Sequence, residues 1–163
     1  MEYIFAICQW LEQTTVGTSV RESLWLFPIT ETLHIFGIIL LVGATSILDV
    51  RLMGLAFRGE PVSKLAKLFL PWAWAGFLIQ VTTGLILFTS EAVKMYTNPG
   101  FKIKMVLILV AGINAFVFHE IAYRSVGKWD NDPVAPLAAR AAGLISILLW
   151  FGIVAAGRWI AYV

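Results

Sequence analysis

Apolar residues run along this chain in four long blocks, at residues 24–55, 70–95, 101–124 and 137–163, with short polar stretches between them. Each block is long enough to cross the roughly 30 Å hydrocarbon slab of a bilayer, which takes about 20 helical residues. With no water to satisfy backbone groups inside that slab, a span of this kind is helical. The pattern predicts an all-α integral membrane four-helix bundle, folded as a single transmembrane domain over residues 1–163. The segment ahead of the first block, MEYIFAICQWLEQT, is too short and too polar to span. Its Ile4, Phe5, Ile7, Cys8 and Leu11 fall near one face, as in a helix lying in the interface plane over residues 2–13. VGTSVRES reads as a turn, AFRGEPVSKLAK as a polar loop opened by Pro61, YTNPG as a strong turn, and SVGKWDNDPVAP as a second polar loop.

Composition agrees with a lipid environment. The chain is 60% hydrophobic and 13% charged, whereas soluble domains have about a quarter of their residues charged. The net charge of +2 is small and the basic residues are scattered, so they read as loop anchors, and no nucleic-acid partner is expected. One cysteine, Cys8, excludes an internal disulfide framework and the usual thiolate metal motifs. The first residues lack a basic n-region and carry Glu2 and Glu12, so insertion is expected to be directed by the first span.

Four spans put both termini on one face of the bilayer, here called side A. Arg21, Lys94, Lys102, Lys104 and Arg158 fall at side A; Arg51, Arg58, Lys64, Lys67, Arg124, Lys128 and Arg140 fall at side B. The excess at side B makes it the cytoplasmic face and leaves the termini outside, which in a bacterium is the periplasm.

Ionisable residues at membrane depth are costly and mark function by default. The only two histidines, His34 and His119, both fall inside predicted spans, the first and the third. In an up-down-up-down bundle those spans sit diagonally and face each other across the core. Gly37 lies one turn from His34, and Gly112, Ala115 and His119 form a stripe. Imidazoles beside small residues suit a flat macrocycle, so b-type haem with His34 and His119 as metal ligands is the expected cofactor. Glu31, one turn before His34, is placed to orient its ring through the non-ligating nitrogen. Counted from side A, however, the two histidines differ in depth by ~12 Å at 1.5 Å per residue. One bridging haem, two sites, or one histidine with another ligand therefore remain open.

A second set of polar residues gathers at side A: Ser90, Glu91 and Lys94 from the second span, Lys104 from the third and Arg158 from the fourth. Gln80, Thr83 and Glu91 form a polar stripe on the second span. Lys104 and Arg158 suit haem propionates, a quinone head group or a small anion; the plainer reading has Lys94, Lys104 and Arg158 snorkelling to headgroups. At side B, Asp49 and Arg51 read as a helix-end ion pair, joined by Arg124 or Glu120, and Trp129 reads as an interface anchor.

LWLFPITETLHIFGIILLVGATSILDVRLMG, with LFTSEAVKMYTNPGFKIKM and GRWIAYV, resembles a family of small bacterial inner-membrane proteins known only as a domain of unknown function. The resemblance covers almost the whole chain and implies a location in the bacterial inner membrane. His34, Gly43, Arg51 and Leu52, then Lys104 and His119, are also similar in order to the small membrane protoporphyrinogen oxidase of bacteria, which binds haem. A further similarity is to the copper-resistance protein D family. The leading expectation is a haem protein of electron transfer, or a small membrane oxidoreductase, with quinone or a redox protein as partner. One alternative is a copper-like transporter or metal-handling protein using His34, Glu31 and Glu91. Another is an accessory subunit without chemistry, in which Gly152, Ala156 and Gly157 pack on a partner helix or on a second copy of the chain.

Overall fold

The computed structural model describes residues 2–163, and those residues form helices and short connections without strands. Seven α-helices follow one another: α1 (Glu2–Gln13), α2 (Thr15–Glu22), α3 (Leu26–Leu52), α4 (Val62–Ser90), α5 (Ala92–Thr97), α6 (Pro99–Ile121) and α7 (Leu137–Trp159). Helices α3, α4, α6 and α7 carry the four stretches long and apolar enough to cross a membrane, so the protein is a multi-pass helical membrane protein.

Helix ends are set by local chemistry that hydropathy alone does not show. Helix α3 starts where the Ser23 hydroxyl accepts from the backbone N–H of Trp25 and Leu26. It stops at Leu52, three residues before the expected end. Gly54 there takes φ +71°, its N–H donates to Arg51 O, and that of Leu55 donates to Val50 O. This is the paired closing pattern that a glycine past a helix end permits. Helix α4 begins at Val62, eight residues ahead of the expected start. The polar residues after Pro61 continue the helix, because Asp130 from the side-B loop caps it: its Oδ1 accepts from Ser63 N (2.7 Å) and its Oδ2 from Ser63 Oγ (2.6 Å). Pro71 lies inside α4 without ending it. The helix breaks at Glu91, and α5 restarts with Val93 N donating to Glu12 Oε1 of α1 (2.9 Å).

Two segments expected as turns hold more order than that. VGTSVRES is helix α2, capped by the Thr14 hydroxyl accepting from Gly17 N. Gly17 sits so close to the end of α4 that a Cβ there would lie 2.8 Å from Thr89 O. In YTNPG, Asn98 caps α6 by accepting from Phe101 N, while its Nδ2 donates to Ile160 O and Val163 O. One asparagine thus joins the start of α6 to the end of the chain.

Packing pairs α3 with α4 and α6 with α7, and an α3/α7 seam joins the two hairpins. The α3/α4 crossing is tight because both faces are glycine: a Cβ on Gly76 would fall 2.5 Å from Leu41 N and 2.9 Å from Gly37 O. Helices α4 and α6 are not packed along their lengths; they meet at side A, where Phe88 stacks on Phe101 with centroids 5.5 Å apart.

The side-B loops close over a small apolar cluster of Leu52, Val62, Ala122, Trp129, Ala135 and Ala139. Trp129 is therefore buried in this cluster, its Nε1–H donating to Ser125 Oγ, and is not an interface anchor. The expected Asp49–Arg51 ion pair is also absent among the described residues. Arg51 is fully buried and turns to the loops, where Nε donates to Glu60 O (2.8 Å) and NH2 to Asp132 O (3.0 Å). Glu120 and Arg124 pair with each other at 2.9 Å.

Candidate functional site

His34 sits on α3 facing α4, two turns in from the side-A end of its helix. Its Nδ1 lies 2.8 Å from the Thr83 hydroxyl, and Thr83 Oγ1 donates in turn to Ile79 O at 2.6 Å. A hydroxyl has one proton to give. Since that proton goes to Ile79, Thr83 must accept from Nδ1–H, and the imidazole is the Nδ1–H tautomer. The tautomer follows from this hydrogen-bond network. Nε2 is left with its lone pair available. One turn before Thr83, Gln80 Nε2 donates to the His34 carbonyl oxygen at 2.6 Å. Gly84, next along α4, is the residue against the ring edge: a Cβ there would be 3.3 Å from His34 Cε1. The α4 face Gln80–Thr83–Gly84 thus orients the ring, sets its tautomer and lets it pack close against the helix.

Lys104 enters from α6. It is half-buried, and its ammonium lies against Gly157 of α7, where a Cβ would sit 3.4 Å from Nζ. It packs on the α6/α7 side, whereas His34 packs on α4. Among the described residues no carboxylate comes within ion-pairing distance of Lys104. A lysine in a membrane span without a counterion is costly and marks a candidate site.

The other candidates are not brought into this cluster. Glu31 is exposed, and the nitrogen of the His34 ring that it was expected to orient, Nδ1, is held by Thr83 instead. His119 is exposed and stacks on Tyr123, centroids 5.6 Å apart. It lies twenty residues from the side-A end of α6, against eight for His34 in α3, a depth difference of ~18 Å at 1.5 Å per residue. Gly112, one stripe with His119, has nothing within 4 Å of its Cβ position and faces away from the bundle. The structure therefore does not pair the two histidines. Arg158 is exposed at side A, its guanidinium over the Tyr162 ring. Glu91 marks the α4/α5 break and pairs with Lys94 at 3.3 Å.

The small residues of the last span are also accounted for inside the bundle. Gly152 faces Leu107 and Gly157 faces Lys104, both on α6, and the Ala156 carbonyl lies over Gly100. The sequence reading placed Thr83 on the right stripe without giving it a task, read Gly157 only as a helix-packing residue, and passed over Gly84. For Thr83 and Gly84 the signal was the Gln80–Thr83–Gly84 spacing, which puts an amide, a hydroxyl and a missing side chain on one helical face.

A polytopic helical membrane protein with a half-buried histidine and lysine facing its interior is the class that fold and site define. By sequence the chain belongs to the family of unknown function DUF6644, which matches residues 9–163. No curated protein and no solved structure matches it.

Proposed function

We propose that this protein is a membrane-embedded b-type haem protein, acting in electron transfer or as a small membrane oxidoreductase, with His34 Nε2 as the axial ligand. The observation that carries this reading is the His34–Thr83–Ile79 hydrogen-bond chain. A metal-ligating histidine usually donates its other ring N–H to a fixed acceptor, which sets tautomer and orientation. Thr83 is such an acceptor, provided from a neighbouring helix. The donor set fits haem for a second reason. Lys104 offers a propionate carboxylate a cation with no carboxylate partner of its own, and Gly84 and Gly157 let the imidazole and the lysine pack close against α4 and α7. The haem would supply the redox chemistry. The chain's own residues would hold the iron, neutralise the propionate and, along the loosely packed α4/α6 side, leave the site open to the bilayer.

A copper-like handling role has less support, since a bare ion needs several protein donors. Among the described residues no three His, Cys, Asp or Glu side chains gather into such a group. The single-histidine reading replaces the bis-histidine one, because His119 is exposed and lies at a different depth from His34. We place the protein in a bacterial inner membrane with its termini in the periplasm, from the side-B excess of basic residues. A bilayer-soluble quinone or a partner protein would exchange the electrons. Expression with sufficient haem, purification in detergent and an absorption spectrum test the reading. A Soret band in the parent protein that is lost in His34→Ala is expected; no band in the parent protein would overturn it.

A further inference from the structure

Helix α3 carries two further buried ionisable groups, Asp49 and Arg51, far from His34. Asp49 is only 7% exposed, and its Oδ2 has no hydrogen-bond partner. It lies where α3 crosses α7 at closest approach: a Cβ on Gly143 would come within 3.0 Å of Asp49 O. Ser146, one turn further along α7, faces the carboxyl.

The charged groups of the surrounding elements are directed elsewhere. Arg51, on the same helix, donates through Nε and Nη2 to the carbonyls of Glu60 and Asp132, while its Nη1 is buried without a partner and makes no ion pair with Asp49. On α4, Lys64 pairs with Glu60 at 2.7 Å, and Lys67 is exposed; on α7, Arg140 is exposed. Among the described residues no cation lies within 4 Å of the Asp49 carboxyl. A carboxylate buried without a cation, with one oxygen left unpartnered, is more costly than the neutral acid. Orphaned buried polar atoms of this kind call for an occupant, and a proton is the smallest one that removes the charge.

We propose that Asp49 is a proton-binding site at the α3/α7 crossing, its carboxyl carrying a proton in the folded protein at neutral pH and facing the Ser146 hydroxyl. The site is independent of the haem reading: it uses neither His34 nor Lys104 and stands or falls separately.

Infrared difference spectroscopy on the detergent-purified chain tests this. The carbonyl stretch of a protonated carboxylic acid is expected at neutral pH in the parent protein and lost in Asp49→Asn, and it should shift in frequency in Ser146→Ala. Asparagine is nearly isosteric with the neutral acid, so Asp49→Asn should keep the parent's thermal midpoint. An acid band unchanged in Asp49→Asn, or no acid band at all, would overturn the proposal. So would a thermal midpoint raised by sodium in the parent and not in Asp49→Asn, because the occupant would then be a metal cation. Should Asp49→Asn fail to fold, the Ser146→Ala shift decides: a moved band supports the site and an unmoved one rejects it.

Discussion

His34 and Thr83 meet across the α3/α4 seam with Nδ1 2.8 Å from Oγ1, and this contact decides which imidazole nitrogen is free to bind a ligand. The threonine accepts the ring proton because its own proton is already given to Ile79 O. Replacing it with valine keeps the shape and removes the acceptor. The Nδ1–H would then be buried without a partner, or the tautomer would invert and place the proton on Nε2. Loss of such an outer partner typically weakens metal binding by about 10–100-fold. Thr83→Val should therefore lower haem occupancy at limiting haem, measured by Soret absorbance per protein, with the fold intact by circular dichroism.

Lys104 gives a different signature. Lys104→Met preserves most of the packing against Gly157 and removes the charge. If Lys104 neutralises a propionate, haem is retained more weakly while its midpoint potential falls, since a nearby cation stabilises the reduced, more negative state. Redox titration of the parent and the variant checks the direction. An unchanged potential and occupancy would return Lys104 to a headgroup anchor.

The Gly37/Gly76 crossing sets how closely α4 can present Thr83 to His34. A Cβ on Gly76 would lie 2.5 Å from a backbone nitrogen, which cannot swing aside as a side chain can. Overpacking of this sort costs about 1–3 kcal/mol. Gly76→Ala should lower the thermal midpoint in detergent, and because the helices separate it should loosen haem as well. Gly112→Ala, with nothing near its Cβ position, is the control expected to change neither.

At side B, Asp130 ties the loop to the start of α4, and its charge makes that tie pH-dependent. Burial pushes its carboxyl up, but the Ser63 hydroxyl and N–H and the nearby Arg51 guanidinium outweigh this and hold it below the ordinary value of 3.8. A group depressed in the folded state adds stability above its unfolded value and loses that stability as pH falls through the folded one. The stability difference between the parent protein and Asp130→Asn should thus be constant from neutral pH down to about 5, and should shrink below 3.8. Thermal unfolding across that range measures it.

The architecture was legible in the sequence because bilayer thickness forces long apolar blocks, and four such blocks leave little choice of fold. The helix ends were less legible. Val62 to Phe69 reads as a polar connection, and only a cap arriving from Asp130, 67 positions along the chain from Ser63, turns it into the first turns of α4. The site was readable one helix at a time. His34 stands out because a histidine at membrane depth is expensive, and Lys104 for the same reason. The pairing of His34 with His119 came from assuming that both point inward. Periodicity cannot fix the rotation of a helix apolar all round, and α6 is such a helix. It turns the His119 stripe outward and brings Lys104 in. Glu31 shows the same limit: one turn from His34 in sequence, it still falls on the exposed side of α3.

The central claim is that His34 alone among the histidines holds a haem, and one set of spectra tests it most directly. The parent protein, His34→Ala and His119→Ala are purified in the same detergent after haem-sufficient expression. The account predicts a Soret band in the parent and in His119→Ala and its loss in His34→Ala. A band that survives in His34→Ala, or disappears in His119→Ala with the fold intact, would contradict it.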